Sequence, residues 1–143
     1  MSLFTQLLGE YTLDRSVIDL KLKQQHKMQG SALFTPCEDT KTLLYREDIT
    51  INNQYTAYRT FKYVITDQNI KIFFSDGHRE GLYVCLQFNT LAMDAEDIHY
   101  CGQDTYRHNM AIKGFNQFTT NITICGPQKD CVIKTTYMKR GHS

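Results

Sequence analysis

The stretch HYCGQDTYRH, residues 99–108, gathers several side chains that can do chemistry. It places two histidines, a cysteine, an aspartate, two tyrosines and an arginine around a single glycine. Four interpretations are open: a metal site, a catalytic centre, the lining of a pocket, or a turn between two strands. Each interpretation makes a different demand on the rest of the chain.

A metal site is the first interpretation, because His99, Cys101 and Asp104 are all ligand types. On a strand, His99 and Cys101 share a face about 7 Å apart, so one ion would need ligands from a second strand. Structural zinc sites usually pair Cys or His on two sides, and no second pair is evident in the sequence. A Cys101–His99 catalytic couple similarly lacks a residue that orients the histidine. We therefore predict no metal site and no cofactor.

The turn interpretation fits these residues best. Gly102 and Gln103 stand between two runs that read as strands, and glycine readily adopts the positive φ of a tight hairpin. Asp104 can accept hydrogen bonds from nearby backbone amides. The stretch is then a β-hairpin, and His99 and Tyr106 are the side chains expected to reach the interior of the fold.

Length, charge and cysteine content limit the classes to which this protein can belong. The chain has 143 residues, which suits a single domain over 1–143. Its net charge is +1 and its Lys and Arg are scattered, which favours neither nucleic acid nor membrane as a partner. The five cysteines form no C-x-x-C pair, and we expect neither a secretory signal nor a membrane-spanning segment. We expect a cytoplasmic protein with reduced thiols, and its oligomeric state stays open.

The first nine residues predict a short capping helix, and the rest of the chain predicts strands. Ser2 can cap the helix, Gly9 can end it, and the apolar side chains between them fall on one stripe. Afterwards, β-branched and aromatic runs are cut by turns at intervals of about 8–12 residues, which is typical of antiparallel all-β folds. The predicted strands span residues 11–22, 27–36, 41–51, 54–65, 69–75, 80–88, 95–101, 104–113, 116–125 and 130–139.

Successive short hairpins predict an all-β fold: one antiparallel up-and-down β-barrel of about 8–10 strands, because closure removes two exposed edges. LLGEYTLDR at Leu7–Arg15 resembles the opening of lipocalin-like (calycin) barrels, with Tyr11 where their Trp would be. This resemblance implies a lipocalin or fatty-acid-binding-protein type of barrel and no particular reaction. Further pieces resemble an uncharacterised bacterial and fungal family with that fold: LLYRE (Leu43–Glu47), AYRTFKY (Ala57–Tyr63), FFSDG (Phe73–Gly77), HYCGQDTY (His99–Tyr106) and GPQKDCVIKTTYMKR (Gly126–Arg140).

Alternation along the strands predicts which side chains line the barrel. On strand 41–51 the apolar face includes Glu47, and on its hairpin neighbour 54–65 the apolar face includes Arg59. A buried arginine without a partner is very costly, so we expect Glu47 and Arg59 to pair inside the barrel. On strand 27–36, Gly30 lies on the inward row, where small residues either leave room or let opposite side chains fill the barrel.

Hydroxyl groups and one ion pair among aliphatic side chains suit a pocket for an amphipathic molecule. Three structural alternatives remain open. Inward tyrosines can be rim residues that reach water, the ion pair can be purely structural, and a small barrel can be packed solid. The candidate ligand-binding residues are Tyr45, Glu47, Arg59, Tyr63, His99, Tyr106 and Tyr137.

Our leading hypothesis is a soluble barrel that binds a small amphipathic or anionic molecule, with Arg59 facing its anionic head. Charges in the turns Asp76–Gly81 and Gly126–Asp130 either are solvated or ring the barrel mouth and select an anion. The second hypothesis is an enzyme with His99 or Glu47 as base and Tyr106 as acid. The third is a protein-interaction scaffold with a filled barrel.

Overall fold

The computed structural model describes residues 2–75, 81–89 and 93–141, so most of the predicted turn Asp76–Gly81 lies outside the described residues. The described chain forms one short helix and ten strands, as the sequence predicts. The Ser2 hydroxyl caps the helix by accepting the Thr5 N–H at 3.2 Å. The elements are α1 Leu3–Leu7, β1 Gly9–Asp19, β2 Gln24–Pro36, β3 Thr42–Ile51, β4 Tyr55–Thr66, β5 Asn69–Phe74, β6 Leu82–Gln87, β7 Asp94–Cys101, β8 Asp104–Ile112, β9 Gln117–Cys125 and β10 Asp130–Lys139.

The strands form one antiparallel meander that is nearly closed into a barrel. The sheet order is β6-β5-β4-β3-β2-β1-β10-β9-β8-β7. The first and last strands along the chain, β1 and β10, therefore pair with each other. The two ends of the sheet are β6 and β7, and we call the gap between them the β6–β7 seam. A side chain bridges this seam, since Asp97 Oδ2 accepts the Cys85 N–H at 2.7 Å. The predicted all-β barrel with a short N-terminal helix is confirmed.

The hairpin predicted for residues 99–108 is also confirmed. Strand β7 ends at Cys101, strand β8 begins at Asp104, and these two residues are partners in the ladder. Gly102 has a φ of +61°, the left-handed conformation that glycine adopts without steric cost. The side chains of this stretch therefore belong to two paired strands and the turn between them.

One end of the barrel, which we call the closed end, is packed beneath α1. The Tyr11 hydroxyl donates to the Leu7 carbonyl at 2.8 Å, which ties the helix to β1. The Tyr11 ring makes edge contacts with Phe34 and Phe118, with ring centroids 5.8 and 5.2 Å away. Within the described residues, no helix has the length and apolar character needed to cross a bilayer.

The other end, which we call the open end, holds the turns after β1, β3, β5, β7 and β9. Side chains on the inner face become more exposed as the strands approach it. On β4, Tyr63 is buried, Phe61 is half-buried and Arg59 is exposed, although all three share one face. On β9, Phe118 is buried whereas Ile122 is half-buried. The interior is therefore solid at the closed end and reachable by solvent towards the open end.

Candidate functional site

An ion pair between β1 and β3 forms the polar centre of the barrel. Arg15 Nη1 and Nη2 donate to the two carboxylate oxygens of Glu47 at 2.7 and 2.8 Å. The side chain of Glu47 is 3% exposed and that of Arg15 is 11% exposed. Such a two-point geometry is the strongest arrangement available to an arginine and a carboxylate.

Two tyrosines and a threonine complete this polar centre. The Tyr45 hydroxyl donates to Glu47 Oε1 at 2.6 Å and lies 3.0 Å from the Tyr137 hydroxyl. Because the Tyr45 proton goes to the carboxylate, Tyr137 donates to Tyr45. Arg15 Nε donates to the Thr135 hydroxyl at 2.9 Å. These hydroxyls bond to one another and to the ion pair, so the expectation of rim tyrosines is wrong for Tyr45 and Tyr137.

The electrostatics keep this centre ionised. Burial by itself would raise the pKa of Glu47, but hydrogen bonds and charge from Arg15 hold that pKa below its ordinary value. Burial also opposes the charge on Arg15, yet the bond to Glu47 keeps its pKa above the usual range. Burial raises the pKa of Tyr45 and of Tyr137, so both remain hydrogen-bond donors.

The predicted Glu47–Arg59 pair does not form, which corrects the sequence-based expectation. The two residues are ladder partners on β3 and β4, and the charge of Arg59 contributes to the lowered pKa of Glu47. The carboxylate is nevertheless bound by Arg15, whose strand is two places away in the sheet. Arg59 is exposed, and no partner for its guanidinium occurs among the described residues. Among the described residues it is an unpaired cation near the open end.

Aromatic rings line the inner surface beside Arg59. Phe61 and Phe74 have centroids 6.0 Å apart, and Phe74 and Tyr83 are 5.3 Å apart. The series continues from Tyr83 to His99 at 5.3 Å and from His99 to Tyr106 at 6.0 Å. All five are half-buried, and we call them the aromatic wall. Their rings offer an apolar surface that solvent still reaches.

The seven candidate residues therefore fall into two groups. The first group belongs to the buried polar centre or packs beside it, and comprises Tyr45, Glu47, Tyr63 and Tyr137. The second group lies towards the open end and comprises Arg59, His99 and Tyr106. Sequence reasoning missed Arg15, Phe61, Phe74, Tyr83 and the buried His108. Alternation places Arg15, Phe61, Phe74 and His108 inward, so these four could have been found.

The residues considered for metal binding or acid–base chemistry are placed as follows. Among the described residues, no three His, Cys, Asp or Glu side chains converge as a set that could hold an ion. Glu47 is a weak base because its oxygens accept bonds from Arg15 and Tyr45 and its pKa is lowered. Tyr106 accepts a hydrogen bond from Lys129 Nζ at 3.2 Å. Glu47 and Tyr106 are thus engaged in other polar contacts, whereas the contacts of His99 are with the rings of Phe74, Tyr83 and Tyr106.

A depression of about 400 Å³ lies elsewhere, on strands β10, β1 and β2. Most of its lining side chains lie on the opposite strand face from Arg15 and Thr135, so the depression is on the outside of the barrel. It is separate from the aromatic wall. The lining residues are Asp14, Arg15, Ser16, Lys27, Met28, Gln29, Lys134 and Thr136.

Comparison with known families gives a match over residues 7–139 to a family of unknown function, DUF6314. The chain belongs to this family. This agrees with the resemblance to an uncharacterised barrel family. No curated protein matches the sequence.

Solved structures with the same fold include natural and designed barrels. The S-type phycobiliprotein lyase CPES from Guillardia theta superposes with a TM-score of 0.74 at 8% identity, covering 100% of this chain and 95% of that one. The redesigned β-barrel mFAP1, bound to DFHBI, gives 0.53 at 13% identity, covering 97% and 100%. A fluorescence-activating β-barrel designed de novo gives 0.53 at 5% identity, covering 98% and 99%. At these identities the likeness establishes the fold alone.

Proposed function

We propose that this protein binds a small, partly apolar molecule with an anionic group in the open half of its barrel. The observation that carries the proposal is the position of Arg59. It is an exposed cation on the same inner face as Phe61, and its charge acts on Glu47 and Tyr83. Within the described part of the chain it has no ion-pair partner. A cation beside an accessible aromatic surface suits an aromatic acid.

The buried polar centre is compatible with anion binding at Arg59. Arg15 is already neutralised by Glu47, so the buried ion pair does not compete with Arg59 for an anion. The centre instead forms a polar floor, and the half-buried aromatic wall rises from it towards the open end. A few placed polar groups within an apolar surface are typical of small-molecule sites.

The structural neighbours are consistent with this proposal. The redesigned barrel mFAP1 was solved with the small molecule DFHBI bound. A barrel of this general fold can therefore bind a small ring-containing ligand. The phycobiliprotein lyase is an enzyme by its name, and its likeness here concerns the fold.

The test is a fluorescence titration with 1-anilinonaphthalene-8-sulfonate, an aromatic anion. We expect saturable binding to the folded protein and about fivefold weaker binding to Arg59→Gln, the effect of about 1 kcal/mol near a surface. Arg46→Gln is the matched control, because Arg46 lies on neighbouring β3, is exposed and pairs with Asp48. No saturable binding, or equal weakening by both variants, would overturn the proposal.

A further inference from the structure

His108 is a buried histidine that the polar centre does not use. It lies on β8, is 5% exposed, and shares the inner face with Met110 and Ile112, which are also buried. Its Nδ1 is 3.1 Å from the Tyr83 hydroxyl, and the two rings meet edge to face at 5.4 Å. Tyr83 belongs to the aromatic wall, so His108 lies directly behind that wall.

The other ring nitrogen of His108, Nε2, has no hydrogen-bond partner in the described part of the chain. Among the described residues, no group lies within hydrogen-bond distance of Nε2, although that atom is buried. A buried polar atom without a hydrogen bond is costly and calls for a specific explanation. His108 shares the inner face of β8 with Met110, so its ring lies on the interior side of that strand.

The contact with Tyr83 couples the tautomer of His108 to the direction of one hydrogen bond. Burial lowers the pKa of His108 to about 4, and the charge of Asp97 only partly opposes this, so the ring is neutral near pH 7. Burial keeps the Tyr83 hydroxyl protonated by raising its pKa. A phenol donates well to an imidazole nitrogen, and the bond made by one ring nitrogen fixes the role of the other. When Tyr83 donates to Nδ1, Nε2 carries the hydrogen and is a donor.

The inward neighbours of His108 are mostly apolar. Its ladder partners are Ile122 on β9 and Asp97 on β7, and the next inward residue on β8 is Met110. Ile122 and Met110 offer no hydrogen bond, and one Asp97 oxygen already accepts the Cys85 N–H. A buried water needs about two to four polar partners. A ligand oxygen carried by an apolar group suits these surroundings better.

We infer that His108 is a second recognition residue, whose Nε2–H binds a carbonyl-type oxygen of the ligand. This inference rests on the proposed function and narrows the ligand class. Tyr83 contacts Phe61 at 6.3 Å on one side and His108 at 5.4 Å on the other. Arg59 is two residues from Phe61 on the same strand face. The ligand class is thus an elongated aromatic acid, with its anion at Arg59 and a neutral oxygen acceptor at the far end.

Two probes of equal charge and similar shape test this inference by calorimetry. They are 4′-acetylbiphenyl-4-carboxylate and 4′-ethylbiphenyl-4-carboxylate, of which only the first has a ketone oxygen. We expect the wild type to prefer the acetyl probe by about tenfold, as a buried donor that gains its partner would. His108→Phe should remove this preference and keep binding of the ethyl probe, whereas Arg59→Gln should weaken both probes alike.

A measurement on the unaltered protein covers the case in which His108→Phe does not fold. Nitrogen-15 NMR of the imidazole should show the Nε2–H tautomer, and the acetyl probe should shift that resonance more than the ethyl probe does. Equal affinity for the two probes, or an Nδ1–H tautomer, would overturn the role of His108 and leave the proposed function standing. Failure of both probes to bind would overturn the proposed function and this inference together.

Discussion

Arg15 on β1 and Glu47 on β3 are joined by two hydrogen bonds that cross over β2 inside the barrel. The register pairs Arg15 with Met28 and Glu47 with Ala32, so Gly30 lies between them on β2. Because Gly30 has no side chain, the guanidinium and the carboxylate can meet above this strand. The pair therefore ties three strands together at the level where the solid half of the barrel meets the accessible half.

Removing the charge of Glu47 should destabilise the fold strongly. Glu47→Gln leaves the buried Arg15 without its counter-charge, and breaking a buried pair in this way costs about 3 kcal/mol or more. Urea unfolding should show a lowered midpoint with an unchanged slope. The matched control is Asp48→Asn on the same strand, which breaks the exposed Arg46–Asp48 pair and should cost under about 1 kcal/mol. Similar losses in both variants would show that the Arg15–Glu47 pair contributes little.

The buried neutral state of His108 predicts that stability falls on mild acidification. Its pKa is lowered from 6.5 to about 4 in the folded protein. Between these two pH values His108 is protonated in the unfolded chain but neutral in the folded chain. The free energy of unfolding therefore decreases as the pH falls from about 6.5 towards 4. The full effect corresponds to about 3 kcal/mol.

Urea unfolding between pH 7 and pH 4.5 measures this slope. His108→Phe should flatten it, because the variant has no buried imidazole to protonate. His26→Gln is the control, since His26 is only half-buried on β2 and its removal should leave the slope intact. A slope that persists in His108→Phe would assign the acid sensitivity to other groups.

The sequence predicts the strands well because the signals involved are local. The first strand is predicted to extend to residue 22 but ends at Asp19, whose carboxylate accepts the N–H groups of Lys21 and Leu22 and so starts the turn. The hairpin around Gly102 is predicted correctly for the same local reason. Alternation also places Glu47 and Tyr45 inside, as observed.

The partners within the barrel are harder to predict because they depend on closure and on irregular pairing. Arg15 is 32 residues from Glu47 and reaches it across an intervening strand. The pairing of neighbouring strands in a hairpin predicts Arg59 as the partner instead. Tyr83 lies opposite a register shift, since Ile72 pairs with Val84 and Phe73 with Leu82. A bulge interrupts the alternation of inward and outward side chains. The contact of Tyr83 with the inner wall therefore cannot be predicted from the hydrophobic pattern of the strand.

Asp97 should hold the β6–β7 seam closed. Its side chain accepts the Cys85 N–H at 2.7 Å across two strands that do not pair with each other. Asp97→Ala should speed hydrogen exchange at the Cys85 amide about tenfold, equivalent to about 1.4 kcal/mol for a bond to a charged acceptor. Asp94→Ala on the same strand is the control, because Asp94 is exposed and its bond among the described residues is accepted from the Asn109 side chain. Unchanged exchange at Cys85 in Asp97→Ala would mean that backbone packing alone closes the seam.

Gly30 should tolerate no side chain, because β2 and β3 approach each other too closely at this point. A Cβ at position 30 would lie 2.0 Å from the Asp48 carbonyl oxygen and 2.9 Å from the Ile49 Cα. Both contacts involve backbone, so Gly30→Ala must push β3 away and should cost about 1–3 kcal/mol in urea unfolding. Ser31→Ala, at the next position with its side chain on the outer face, should change stability by less than about 0.5 kcal/mol. A stability of Gly30→Ala equal to that of Ser31→Ala would show that the two strands can separate without loss. The small residues on the inward face of β2 would then serve only to leave space inside the barrel.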